Sequence, residues 1–408
     1  MHGSLTLLVG GTVLLGCAAV ASAGSRSARV RPGVEVLLTD SAHLIRGRRL
    51  GLVTNQTGID SRGVSDVEVL RGAGVRLVAL FSPEHGFRGA ADPGAAIATT
   101  IDSATGLPIY SLYGRTSAPT DSMLAGLDAI AIDLQDVGAR YYTYISTAVE
   151  VMRVAGRRRL PVIILDRPNP IGGAVQGSVL DTAFTSFVGR LPVPMRHGLT
   201  MGEMARFANR ELGLGAILHV VPASGWRRRA ALDATGLPFV PPSPNLRSLE
   251  SLFHYPGTCL FEGTTLSVGR GSDAAFEQIG SPWLDAPRII AAMRQLRLPG
   301  VEYAPVRFTP RRPGDGKYAD TSLAGIRLRV TDRSRYDPVA TAVHLMAAIE
   351  AVHPDEMRWN ARQFDRLAGD SGLREQLERK VDPAVIMRAW DPERRAFQAA
   401  IRPYLIYR

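Results

Sequence analysis

The feature that most limits the fold is a series of short apolar runs, each stopping at a polar loop. Leu50-Gly51-Leu52-Val53-Thr54, Val75-Arg76-Leu77-Val78-Ala79-Leu80-Phe81, Asp128-Ala129-Ile130-Ala131-Ile132-Asp133-Leu134 and Pro161-Val162-Ile163-Ile164-Leu165-Asp166 read as strands. Residues 64–73 and 144–155 read as helices; in the second, Ile145, Ala148, Val149 and Met152 share one face. Buried strands alternating with amphipathic helices predict a parallel α/β sheet. Ligands of such sheets sit beyond the carboxyl ends of the strands.

The residues at those ends fit this rule. Asn55-Gln56-Thr57-Gly58 follows the first strand, and Ser82-Pro83-Glu84-His85-Gly86-Phe87-Arg88-Gly89 the second. Gln135-Asp136 and Gly138-Ala139-Arg140-Tyr141-Tyr142 follow the third, and Arg167-Pro168-Asn169-Pro170 the fourth. One such loop is ordinary, but four in succession predict a single shared cleft. Glu84 is the leading catalytic candidate, because a carboxyl beside His85 and Arg88 has partners that tune it for acid or base work. The competing reading pairs Glu84 with Arg88 in a surface turn. His85 either assists catalysis, binds substrate or is a hydrogen-bonded structural residue.

The third loop reads equally as a braced turn or as a sugar site. In the second case Tyr142 offers its ring to a pyranose face, and Asp133, Gln135, Asp136 and Arg140 offer hydrogen bonds to hydroxyls. Arg167 suits a carboxylate ligand through its planar fork, Asn169 adds a polar group, and Arg196-His197 does similar work or braces its loop. Thr200-Met201-Gly202-Glu203 is a capping box, which gives Glu203 a structural reason to exist. Pro238, Pro241, Pro242 and Pro244 punctuate a crossover over residues 222–247, so lobes are expected at 30–215 and 216–408. The second lobe is read as a loop-rich stretch over 255–283, a helix over 286–296, strands over 306–308 and 326–330, and helices to the C-terminus. Residues 261–271 are hydroxyl-rich and contain Glu262 and Arg270; Glu262 is the natural partner for Glu84 if two carboxylates are required. Asn245 supplies a further polar wall.

Composition narrows the partners. Hydrophobic residues at 45% with 21% charged describe a soluble globular protein, and the formal charge is +10. Lys317 and Lys380 are the only lysines, so the positive charge reflects an arginine-rich composition. Arg157-Arg158-Arg159, Arg227-Arg228-Arg229 and Arg311-Arg312 are scattered and lack interleaved aromatics, which argues against nucleic acid and leaves an anionic glycan compatible. Residues 1–23 are expected to be an export signal, with the apolar segment Leu5–Leu15 at its centre. Ala21-Ser22-Ala23 offers one cleavage site, and Leu14-Leu15-Gly16-Cys17 resembles a lipobox that would leave Cys17 lipid-anchored in a periplasmic or extracellular setting. No dinucleotide glycine triad, Walker loop, His-Glu-x-x-His helix or Gly-x-Ser-x-Gly elbow is present, so neither a cofactor nor a metal is expected.

Taken together, Gly51–Gly58, Phe81–Gly89, Asp133–Ile145, Leu165–Pro170, Arg196–Thr200, Pro242–Asn245, Tyr255–Gly263 and Gly280–Trp283 resemble the NamZ-type exo-β-N-acetylmuramidases, from about Pro32 to the C-terminus. The resemblance implies a Rossmann-like parallel-sheet lobe, a smaller α/β lobe and an active-site cleft between them. It also implies a glycoside hydrolase that releases N-acetylmuramic acid from non-reducing ends of peptidoglycan fragments, with Glu84 as the catalytic glutamate. On this reading Glu84 protonates the glycosidic oxygen, Glu262 or Asp133 activates water or stabilises an oxocarbenium-like transition state, and Arg167, Arg140 or Arg196 holds the lactyl carboxylate. Thr265 and Leu323 depart from the family pattern, which has Asn and Cys there. The rival classes are a non-catalytic muropeptide-binding envelope protein and a cell-wall esterase or amidase.

Overall fold

A computed structural model describes residues 1–5, 7 and 29–408. The expected cleavage sites and Cys17 lie outside the described residues. Nine strands build the first lobe: β1 (Arg49–Thr54), β2 (Arg76–Ser82), β3 (Thr100–Ile101), β4 (Pro108–Ser111), β5 (Ala129–Asp133), β6 (Val162–Leu165), β7 (Gln176–Val179), β8 (Pro194–Arg196) and β9 (Leu218–Val221). Seven of them form one sheet in the order β3-β4-β2-β1-β5-β6-β9, in which only β3 runs antiparallel. The chain winds outward from β1 in one direction and from β5 in the other, so the expectation of a Rossmann-like parallel α/β sheet holds and the topological switch lies between β1 and β5.

Helices α1 (Gly33–Thr39), α2 (Asp66–Gly72), α3 (Tyr144–Arg157) and α4 (Met201–Glu211) cover the sheet. Period-two alternation divides each strand between two apolar layers. Leu50, Leu52, Ala129, Ala131, Ile163 and Leu165 face one cluster with Val34 and Leu37 of α1. Val53, Ile130, Ile132, Val162 and Ile164 face the other with α3 and α4, and that cluster continues without a break into the second lobe. Each such fully buried aliphatic side chain contributes about 1.5–3 kcal/mol. The capping box at the start of α4 is formed, with Glu203 accepting from the Thr200 backbone N–H at 3.0 Å.

The second lobe contains α5 (Leu249–Thr258), α6 (Ala286–Gln295), α7 (Pro338–Val352) and α8 (Ala361–Ala368), around a three-stranded antiparallel sheet of β10 (Gln278–Ser281), β11 (Val301–Phe308) and β12 (Leu323–Val330). Helices α9 (Gly372–Glu378), α10 (Pro383–Ala389) and α11 (Asp391–Ala400) follow. The expected break at 215/216 falls ahead of β9, which pairs with β6 at the sheet edge from Leu218 to Val221. The short, half-buried β9 comes from the apolar run Ile217-Leu218-His219-Val220-Val221, interrupted by His219. Tyr255–Thr258, read as loop, is the last turn of α5, which contains Pro256.

The chain end also returns to the first lobe. Tyr407 packs on Trp226 and donates its hydroxyl to the buried Asp166 at 2.7 Å, while Glu203 accepts from the Ile406 N–H at 2.8 Å. Arg227, Arg228 and Arg229 meet Arg333 and Arg408 around a depression of about 900 Å³, so these arginines are less scattered than their spacing in sequence suggests. Arg228 is neutralised there by Glu203 and Arg333 by Asp233. Tyr407→Phe removes a donor to a buried carboxylate and is expected to lower unfolding free energy by about 1–3 kcal/mol in urea titrations.

Candidate active site

The loop after β2 turns sharply. Gly86 N–H donates to the Pro83 carbonyl at 3.1 Å, and His85 and Gly86 both take positive φ, at 70° and 76°. That conformation is uncommon for a residue with a Cβ and is held by two bonds: His85 Nδ1 donates to the Ala91 carbonyl at 2.8 Å, and Ala91 N–H donates back to the His85 carbonyl at 3.2 Å. Since a carbonyl accepts the Nδ1 proton, Nε2 is the acceptor nitrogen of the neutral ring. The turn sends Glu84 across to α3. Its Oε2 accepts from the Thr143 hydroxyl at 2.6 Å and its Oε1 from the Gly94 N–H at 3.0 Å. Thr143 is the N-cap residue of α3 but makes no side-chain cap bond, because its hydroxyl is committed to Glu84.

Glu84 and His85 line a cavity of about 270 Å³ shared by both lobes. Tyr113, Tyr141 and Tyr142 wall it from the first lobe; Tyr255, Glu262, Arg270 and Phe276 face them from the second, and Gln363 and Arg366 enter from α8. Tyr141 and Tyr142 present rings because their hydroxyls are engaged elsewhere. Tyr141 donates to the Pro256 carbonyl, and Tyr142 to that of Pro242 at 2.7 Å. Tyr255 stands edge-on to Tyr141 and Phe276, with centroids 5.6 and 4.8 Å apart. Burial, then the Glu84 charge and hydrogen bond, push the Tyr113 phenol above its usual range.

Glu262 sits in a short 3-10 turn, Cys259–Gly263, and accepts from Arg270 Nε. Arg270 also lies over the Phe276 ring, 5.0 Å from its centroid. Burial, then the Glu262 charge, hold the neighbouring Cys259 thiol well above its usual range, so it stays protonated. Two features fix this wall. A Cβ on Gly263 would come within 2.5 Å of the Phe364 backbone, so only glycine lets α8 approach. Lys317 Nζ donates to the carbonyls of Glu262, Thr264 and Leu266 at 3.0, 2.6 and 2.9 Å, and to that of Phe261 at 3.4 Å.

Several other candidates are placed elsewhere. Asp133 is fully buried and receives both Arg167 Nε and Nη2, at 2.5 and 3.0 Å, so neither residue reaches the cavity. Asp66 lies beside this pair, and burial, then the Asp133 charge, raise its carboxyl well above the usual range. Arg140 donates to the carbonyls of Ser178, Val193, Leu367 and Ala368. Arg196 donates to Gln176 and the Ile171 carbonyl. Burial pulls both guanidinium groups down to about 10, and neither faces the sugar-sized cavity.

The remaining polar candidates brace loops. Asn55 bridges Tyr144 and Thr57, Gln135 donates to the Asp136 and Pro168 carbonyls, and Asn169 donates to the Leu199 carbonyl. His197 Nε2 stands 3.2 Å from Asp136, whose Oδ2 accepts from Gly138 N–H. Arg88 is exposed over a different depression, beside Glu68 and Arg71, and does not pair with Glu84. Asn245 lies outside the cavity that its neighbours Ser243 and Leu246 line. Tyr113, Thr143, Tyr255, Gln363 and Arg366 are cavity residues that sequence reasoning did not single out. Thr143 and Tyr255 lie inside conspicuous motifs, whereas α8 shows only an ordinary amphipathic pattern.

A family model described as exo-beta-N-acetylmuramidase NamZ, N-terminal, matches residues 50–250, and its C-terminal counterpart matches residues 253–407. The chain belongs to the NamZ family. The peptidoglycan beta-N-acetylmuramidase NamZ of Bacillus subtilis (strain 168) is 37% identical over 417 residues, covering all of both chains. Two crystal structures of DUF1343 family proteins from Bacteroides fragilis NCTC 9343 are similar to this NamZ-family fold. One has a TM-score of 0.86 at 33% identity, the other 0.74 at 30%, and each match covers 93% of this chain and 99% of the other.

Two outcomes test the geometry. Asp133→Asn is expected to lose about 3–5 kcal/mol of stability in chemical denaturation, since it strands Arg167 in the interior. Burial is the main cause that lowers the His85 imidazolium pKa, so an NMR titration of its ring should give a midpoint below about 6.5. The unfolded chain then takes up that proton first, and His85's contribution to stability falls as pH drops from about 6.5 towards the native midpoint.

Proposed function

We propose that this NamZ-family protein is an exo-acting glycoside hydrolase that releases N-acetylmuramic acid from the non-reducing ends of peptidoglycan fragments. The observation that carries the reading is one compact cavity, walled by tyrosines, to which Glu84 comes from the first lobe and Glu262 from the second. Its volume suits one sugar ring with its substituents, which fits removal of a terminal unit. The name of the Bacillus subtilis relative supports the same substrate.

In the proposed mechanism Glu84, oriented by Thr143 and Gly94, protonates the departing glycosidic oxygen. Glu262, held by Arg270, works opposite it on water or on the oxocarbenium-like charge. Asp133 has no part in this scheme because Arg167 occupies both of its oxygens. Glu84→Gln is expected to slow release from a muramyl-glucosamine disaccharide by about 10²–10⁴-fold. The loss should be smaller with a 4-nitrophenyl muramide, whose leaving group needs no proton; equal rates for wild type and variant on the disaccharide would remove Glu84 from the role. NMR of the first-formed anomer then assigns retention or inversion.

The proposal includes export by a leader within residues 1–23: processing at the lipobox removes residues 1–16 and leaves Cys17 as the lipid-bearing N-terminus. Leu14-Leu15-Gly16-Cys17 supports the anchor, and Ala21-Ser22-Ala23 is the competing cleavage site. Intact mass of the membrane-associated protein distinguishes a diacylated N-terminal cysteine from an unmodified chain beginning at Gly24.

A further inference from the structure

Among the described residues two guanidinium groups line the cavity, and they are not equivalent. Arg270 is mostly buried, and its Nε is bound to Glu262. Arg366 is exposed at the rim and has no ion-pair partner among the described residues. Its neighbour Asp365 is directed away from it, forming a two-bond pair with Arg374 at 2.9 and 2.9 Å. Gln363 and Arg366 are one turn apart on α8, so both reach the cavity from the same helix face. The helix itself is firmly seated: Asn360 caps it and its N–H donates to the Gly263 carbonyl at 2.8 Å, while Phe364 is fully buried. Arg366 lines the same cavity as Glu84 and Tyr113.

An unneutralised guanidinium at the mouth of a sugar-sized cavity has a preferred ligand. Its planar fork matches a carboxylate, which it binds through paired charge-assisted hydrogen bonds. N-Acetylmuramic acid differs from N-acetylglucosamine in carrying a lactyl ether that ends in a carboxylate. An enzyme that removes the terminal unit brings that carboxylate to the same cavity as the scissile bond. We propose that Arg366 is the specificity residue that binds the lactyl carboxylate, a role that Arg140, Arg167 and Arg196 cannot fill because they are buried and do not line the cavity. The inference rests on the muramidase reading but has a binding test of its own.

The experiment compares wild type, Arg366→Gln and Arg366→Lys on 4-nitrophenyl N-acetylmuramide and on its lactyl amide, which has the same shape without the charge. Calorimetric binding of N-acetylmuramic acid to each protein runs alongside. Arg366→Gln is expected to lower kcat/KM on the free acid by about ten- to a hundredfold and to weaken binding of N-acetylmuramic acid by a similar factor. Wild type should show the same loss on the lactyl amide, Arg366→Gln should lose nothing further on it, and Arg366→Lys should recover part of the rate on the acid. Equal losses on acid and amide, or unchanged binding of N-acetylmuramic acid, would overturn the role of Arg366. Wild type that binds N-acetylmuramic acid through Arg366 but hydrolyses neither glycoside would instead overturn the muramidase reading and leave the carboxylate site standing. Unchanged circular dichroism and melting temperature establish that the variants fold.

Discussion

Beneath the carboxyl ends of the central strands, Asp133 and Arg167 form an ion pair with almost no access to solvent, and the uncharged form of Asp66 is favoured beside it. This buried cluster lies at the switch point between β1 and β5, where an open α/β sheet ordinarily leaves room for a ligand. Here the space is filled by the pair, by Asn55 against Tyr144, and by Gln135 against two carbonyls. The usable cavity is therefore displaced to the end of β2, where the first lobe supplies only one side. The other side has to come from the second lobe, and the single apolar cluster running through both lobes keeps the two walls in register.

The loop after β2 shows a second economy of placement. His85 is held in a backbone conformation that most side chains avoid, and reciprocal bonds with Ala91 keep it there. The same turn points Glu84 at Thr143, so the N-terminus of α3 and the end of β2 are joined through the candidate proton donor. Its position depends on backbone geometry from two elements rather than on a flexible side-chain pair such as Glu84 with Arg88.

Much of the fold was legible because its signals are local. The strands, α3 and the capping box of α4 follow from apolar periodicity and from one residue's reach to its own helix. Glu84, His85, Glu262, Arg270 and Tyr142 lie in motifs that end at the cavity. Asp133, Arg140, Arg167 and Arg196 lie in similar motifs but face inward, and nothing in the letters distinguishes the two orientations. Arg140 makes the reason plain, because its partners are four backbone carbonyls, groups that every sequence possesses. Gln363 and Arg366 were hidden for the opposite reason: on α8 they look like any solvated helix face until the chain brings that helix over the 3-10 turn carrying Glu262.

Lys317 shows where the composition of this chain meets a geometric limit. Arginine supplies nearly all of its positive charge, yet the group that gathers the carbonyls around Glu262 is an ammonium. Three protons on a compact, rotatable nitrogen can be shared among four oxygens closing in from several directions, whereas a flat guanidinium presents its donors in one plane and needs more room. The wall opposite Glu84 is thus built around the one cation shape that the rest of the molecule almost never uses, and a compositional drift that is harmless on the surface would reach the candidate site at this position first.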